Sequence, residues 1–310
     1  MVIKKYSAFT FIIVMLISII TISLLVVDAD YIVYVDNLNK ASVMTFVNYI
    51  NEIEHEYGYN ALLYIFYTLG ISSENAFVII SNFILYTIIG KIIYNLTRDY
   101  SFNRQILIFV IILCNPLFFI LSTNIVRQLL AYSLFYYLIT SSNFLKSNNK
   151  IKYLLLIIPV SIHLSSSILL IGYLIGSIKK LDNRMILFIA CFIPLFFSNG
   201  IYDYYNLNVF HFQLYDPPKL YLIILSIIML IYIKIKNISN HLFYSLYLPV
   251  SLLIGLYDLS QFSSRMILIL HFIYIFFIVL LLKKINIKIV LITALTSIVI
   301  FITYIINYIN

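Results

Sequence analysis

Apolar runs long enough to enter a bilayer recur from one end of this chain to the other, and that property removes most folds from consideration. Lipid offers no partner to a backbone N–H or C=O, so a spanning segment has to close its own hydrogen bonds. With 63% hydrophobic and 10% charged residues and a mean hydropathy of +1.03, the chain reads as an all-α polytopic membrane protein. Its formal net charge of +8 is therefore no nucleic-acid signature. It reflects Lys and Arg held on the cytoplasmic side of a membrane.

The 310 residues are expected to form a single integral membrane domain, 1–310, with no room for a separate soluble module. Cys114 and Cys191 both lie in apolar runs and read as small buried residues, without a disulfide or a metal cluster. Lys4 and Lys5 precede an apolar run from Tyr6 to Val27, a full span and too long for a cleavable signal core. Trp is absent and Tyr numbers 28, so Tyr has to furnish the interfacial aromatic belt. The richness in Ile, Asn, Lys, Tyr and Phe points to an AT-rich coding sequence and hence to a bacterial source.

Nine full spans are expected, at about 6–27, 74–96, 105–122, 127–145, 185–199, 219–236, 242–259, 265–282 and 289–309. Two apolar stretches do not fit that series. Residues 59–71 reach only about 20 Å of a hydrocarbon core roughly 30 Å thick. Residues 151–178 are too short for two spans and are interrupted by Pro159, Ser161-Ile162-His163 and Gly172. Both read as re-entrant or broken helical hairpins, tolerated where protein or a wet cavity covers the freed backbone. With the N-terminus cytoplasmic, this map puts 16 of the 20 basic residues inside, leaving Lys40, Arg127, Lys219 and Arg265 outside. Of the 12 acids, only Asp99 and Asp182 fall inside.

Two segments of the outer face are long enough to carry a function. In 28–58, Val43, Phe46, Val47, Ile50, Ile53 and Tyr57 recur at helical spacing, opposite Glu52, His55 and Glu56, as in an amphipathic helix lying in the interface. Residues 200–218, with Asp203, His211, Asp216 and Pro217-Pro218, read as a loop.

Few polar side chains lie near the spans, and each admits two readings. Asn124, Arg127, Gln128 and Ala131 share one helix face. The planar fork of Arg127 matches phosphate oxygens and suits a lipid-linked diphosphate; alternatively it snorkels or pairs with an outer carboxylate. Arg265, with Gln261 and Asp258 before it, either meets phosphate or closes a short loop through an Arg–Asp258 ion pair. His163, beside Ser165, Ser166 and Ser167, is either a proton acceptor or phosphate contact, or a buried imidazole satisfied by a serine or a carbonyl near Pro159. Glu56, before Gly58, is a general base or a sugar ligand, or else part of a solvated helix face. Glu52 and His55 with Glu56 do not make a metal site, and no phosphate loop, serine elbow or Cys/His cluster is present. No cofactor is called for.

Taken in order, Asp30-Tyr31 with Tyr34, Glu56-Tyr57-Gly58-Tyr59, Asn124-Ile125-Val126-Arg127-Gln128 with Ala131, and His163-Leu164-Ser165-Ser166 carry a likeness. The chain resembles the EpsG-like polysaccharide polymerases, a group that includes Wzy-type O-antigen polymerases of bacterial envelopes. The resemblance covers most of 28–175 and thins towards the C-terminus, where only Arg265 is similar. It implies an inverting glycosyltransferase with a GT-C-like membrane fold. Such an enzyme joins undecaprenyl-diphosphate-linked repeat units at the outer face, with undecaprenyl diphosphate leaving. Arg127 and Arg265 then stabilise diphosphate charge, while His163 or Glu56 serves as base. Asp30, Tyr31, Asn124, Gln128 and Asp258 follow as substrate contacts. The partners implied are the lipid-linked oligosaccharide and membrane lipid, with a chain-length regulator protein as a candidate.

Other functions fit the same inventory. An O-antigen ligase would leave no surface glycan when deleted, whereas loss of a polymerase leaves single repeat units. A lipid-linked oligosaccharide flippase or transporter would show pseudo-symmetric halves, which are not evident here. A membrane O-acyltransferase would need a site for an acyl donor.

Overall fold

The computed structural model describes residues 16, 29–52, 56–116, 118, 122, 125–141, 144, 149–178, 219–236, 238–255 and 260–309. Every described element is helical, and there is no strand among the described residues. The expected spans 6–27 and 185–199, and the loop 200–218, lie essentially outside them.

The chain divides into two compact units, Met1–Ser166 with Leu282–Asn310, and Ser167–Leu281. The first unit starts with α1 (Ala29–Val43) and α2 (Phe46–Glu52), followed by α3 (Tyr57–Thr68) and α4 (Ser73–Val78). Without a break, α4 runs into a π-helical segment (Ile79–Ile84) and α5 (Leu85–Leu96). Next come α6 (Phe102–Leu113), α7 (Val126–Thr140) and α8 (Asn149–Ile162), and the unit is completed by α13 (Ile287–Ile309). The second unit holds α9 (Ser166–Ile175, all but its first residue), α10 (Lys219–Ile235), α11 (Asn240–Gly255) and nearly all of α12 (Ser260–Leu282).

Expected and observed ends agree where an apolar run has no competing signal, as in 219–235 and 287–309. Counted over the described residues, no helix is long and apolar enough to cross a membrane. The nine-span map is thus not shown by the structure. The two longest helices, α12 and α13, have 23 residues each, about 34 Å of backbone, but both include side chains outside the described set.

Two departures from expectation, and one interruption that was expected, have local causes. The interfacial segment is two helices, broken at Met44–Thr45 inside the apolar stripe. Carbonyls freed there are taken up by α3: Tyr67 Oη donates to Ser42 O (3.3 Å) and Tyr64 Oη to Met44 O (3.4 Å). Ser42 Oγ also donates to Asn39 O (2.6 Å), a side-chain bond that competes with helix continuation. Residues 59–71 are not broken, since α3 runs unbroken to a turn at Leu69–Gly70, where Gly70 has φ 71°. Residues 151–178 do break, at His163-Leu164-Ser165, between α8 and α9. Pro159 weakens α8 one turn before that break because it has no N–H to donate.

Lipid tails are as apolar as Leu, so helices in such a chain associate through close packing more than through expulsion of water. In the first unit α5 and α8 pack on α7, α3 packs on α1 and α8, and α13 packs on α6. A cluster of Leu38, Tyr59, Leu63, Phe77, Val126 and Ile162, among others, joins α1, α3, α4, α7 and α8. Val126 and Ile162 precede Arg127 and His163 in the chain, and Tyr59 follows Glu56 by three residues, so this core supports all three polar residues from below. At the start of α6, Arg104 donates to the carbonyls of Lys283 (from Nη1) and Ile285 (2.9 Å, from Nη2), ahead of α13. In the second unit, Gly172 of α9 and Gly176, the residue after its end, lie against the α11 backbone at Tyr244 and His241. Small residues at four-residue spacing allow that close approach.

Candidate active site

Glu56, Arg127 and His163 meet, although 71 residues separate the first two. Glu56 opens α3, Arg127 is the second residue of α7, and His163 follows the last residue of α8. Glu56 Oε2 takes a hydrogen bond from Arg127 Nη1, and its Oε1 lies 3.2 Å from His163 Nε2. The three side chains are partly buried, with 13% of Glu56, 27% of Arg127 and 14% of His163 exposed. The carboxylate is therefore no part of a solvated helix face. Arg127 meets a carboxylate, as its alternative role anticipated, and that carboxylate is itself a candidate catalytic group.

The protonation of His163 follows from its neighbours. The main-chain N–H of Ser165 donates to His163 Nδ1 at 3.2 Å, and Ser165 Oγ stands 2.7 Å from the same nitrogen. A backbone N–H can only donate, so Nδ1 presents its lone pair. The imidazole is then neutral with its proton on Nε2, and that N–H points to Glu56. Ser166 steadies the turn, its Oγ donating to His163 O at 2.8 Å.

Glu56 is the one described non-glycine residue with positive φ, at φ 61° and ψ 44°. That left-handed conformation costs an L-residue roughly 1–2 kcal/mol, so the surrounding structure has to hold it. Asn60 provides the hold: its main-chain N–H (3.1 Å) and its Nδ2 (3.2 Å) both donate to Glu56 O. Asn60 Oδ1 in turn accepts from Asn37 Nδ2 of α1 at 3.3 Å. As helix cap, Glu56 makes no side-chain bond to the α3 N-terminus, because its carboxylate is turned to Arg127 and His163. Gly58 supplies the remaining condition. A Cβ built on it would stand 2.3 Å from Ser161 Oγ and 2.9 Å from Ser161 C, so only glycine lets α3 approach α8 this closely.

Gln128 is 1% exposed and its Nε2 donates to Tyr132 Oη (3.2 Å) within α7, and Ala131 is buried in the core below. Asp30 and Tyr31 lie in α1 and Arg265 in α12 of the second unit, with their side chains outside the described set. Asn124 and Asp258 lie outside the described residues. Asn37 and Asn60 went unassigned from sequence, whereas Ser165 was anticipated as a serine that could satisfy His163, and Gly58 only as the glycine after Glu56. The available signal was Asn60, one helical turn after Glu56 in an otherwise apolar run.

No curated protein and no solved structure matches the chain. The model of the EpsG family matches residues 7–310, essentially the whole length, and the chain belongs to the EpsG family.

Proposed function

We propose that this protein is a polysaccharide polymerase of the O-antigen type. It acts as an inverting glycosyltransferase that joins undecaprenyl-diphosphate-linked repeat units at the outer face of the bacterial inner membrane. Its family is one associated with glycosyl transfer and polymerisation. The observation that carries the reading is the convergence of a guanidinium, a carboxylate and an imidazole at one place in a chain with only 10% charged residues.

Each group has a task in the reaction. Outside the inner membrane the donor sugar is activated by its lipid diphosphate, and charge grows on that diphosphate as the anomeric C–O bond breaks. Arg127 answers that charge with a planar fork of donors. The attacking sugar hydroxyl has to lose a proton, and Glu56 or His163 stands beside the cation to take it. Two helix N-termini, of α3 and α7, begin at the same place and favour an anion there. Apolar side chains such as Ile292 and Val299 of α13 are exposed, which suits a protein whose surface is covered by lipid.

The test is the length distribution of surface polysaccharide in cells carrying Arg127→Ala or Arg127→Lys at normal protein level. Loss of one key donor typically costs roughly 10²–10³ in rate, so the expected result is collapse of the long-chain ladder to single repeat units. An unchanged ladder removes Arg127 from the mechanism, and absence of any surface glycan identifies a ligase instead.

A further inference from the structure

We propose that the Glu56 carboxylate is a built-in occupant of the anion site made by Arg127, and that the donor's diphosphate displaces it, turning Glu56 into the base of the reaction. This rests on the polymerase reading above. Carboxylate and phosphate oxygens ask the same thing of a guanidinium, two N–H groups in one plane, so they compete for Arg127. Glu56 Oε2 already holds Nη1. The Arg127 side chain remains 27% exposed, so a ligand can reach it, while the Glu56 side chain is only 13% exposed.

The imidazole decides which group accepts the proton. In neutral His163, Nδ1 is taken by Ser165 and Nε2 carries the proton given to Glu56. His163 is thus a positioning residue that keeps Glu56 in place when Arg127 leaves it. A carboxylate relieved of a cation binds a proton more readily, so donor binding itself switches the base on. The acceptor hydroxyl oxygen then bonds to the donor's anomeric carbon while the bond from that carbon to the diphosphate oxygen breaks. The bonding pair departs on undecaprenyl diphosphate against Arg127, and the hydroxyl proton passes to Glu56. When the diphosphate leaves, Glu56 returns its proton to water and recovers Arg127. Without a donor, the carboxylate stays paired and the site is idle.

The experiment is equilibrium binding of farnesyl diphosphate to the purified full chain in detergent, with farnesol as control, for the wild type, Glu56→Gln, Glu56→Gly and Arg127→Ala. Glycine adopts φ 61° freely, so Glu56→Gly keeps the local backbone should Glu56→Gln fail to fold. Removing the internal competitor is expected to tighten diphosphate binding by at least about fivefold in both Glu56 variants, and Arg127→Ala to weaken it by as much. Equal binding by wild type and both Glu56 variants, with loss in Arg127→Ala, overturns the displacement and leaves the diphosphate reading standing. If no form binds farnesyl diphosphate above farnesol, the diphosphate reading fails and this proposal fails with it.

Discussion

Gly58 and Ser161 approach so closely that a single added methyl group on Gly58 would lie 2.3 Å from Ser161 Oγ. This contact draws the start of α3 to the end of α8, and with it Glu56 to His163. Gly58→Ala is therefore expected to push the helices apart, costing about 1–3 kcal/mol and polymer synthesis together. Ser161→Gly in the same chain removes the nearest clash, though the 2.9 Å approach to the Ser161 carbonyl carbon remains. Partial recovery of chain length by that second change, read on a polysaccharide gel, is the expected outcome. Full activity in Gly58→Ala alone would mean that the two helices need not touch.

Glu56 adopts a conformation suited to glycine yet bears a carboxylate, and stability tells the two properties apart. Glu56→Gly and Glu56→Ala both remove the carboxylate and both are expected to abolish polymerisation. Of the two, Glu56→Gly is expected to be more stable by about 1 kcal/mol, since only alanine retains the left-handed penalty. Thermal unfolding of the two purified variants measures the difference. Equal melting temperatures would show that the backbone there is not strained.

Close packing in the second unit depends on two glycines, one in α9 and one just after it, that have no part in the chemistry. A Cβ on Gly172 would lie 2.4 Å from Tyr244 O, and one on Gly176 2.6 Å from His241 Cα. Backbone atoms cannot swing aside, so Gly172→Ala and Gly176→Ala are each expected to lower folded protein in the membrane. Protein level and polymer length should fall in step, in contrast to Arg127→Ala, whose protein level stays normal.

How much of this was legible in the sequence depended on whether a residue's partner is local. Arg127 and His163 stood out singly, because a polar group in an apolar run needs a reason to be there, and Glu56 stood out because it precedes Gly58. Their meeting did not, since it joins residues 56, 127 and 163 through helix pairs whose faces carry no periodic signal. Bilayer-facing and protein-facing sides are both apolar, so amphipathic spacing does not reveal which helices pack together. The apolar stripe Val43, Phe46, Val47 suggested one helix, and the break at Met44–Thr45 came from tyrosines of α3 that no local pattern announces. The same holds for the π-helical segment Ile79–Ile84 and for the left-handed Glu56, whose identity points away from that conformation. By contrast, Pro159 and the Ser161-Ile162-His163 run did announce the interruption found at 163–165.

The central claim is that Glu56 and Arg127 act as one unit, and a double-mutant cycle on turnover of purified lipid-linked repeat units addresses it most directly. Groups that work together are non-additive, so Glu56→Ala with Arg127→Ala is predicted to lose no more activity than the worse single variant. Losses that multiply, each variant costing the same whether or not the other is present, would contradict the account.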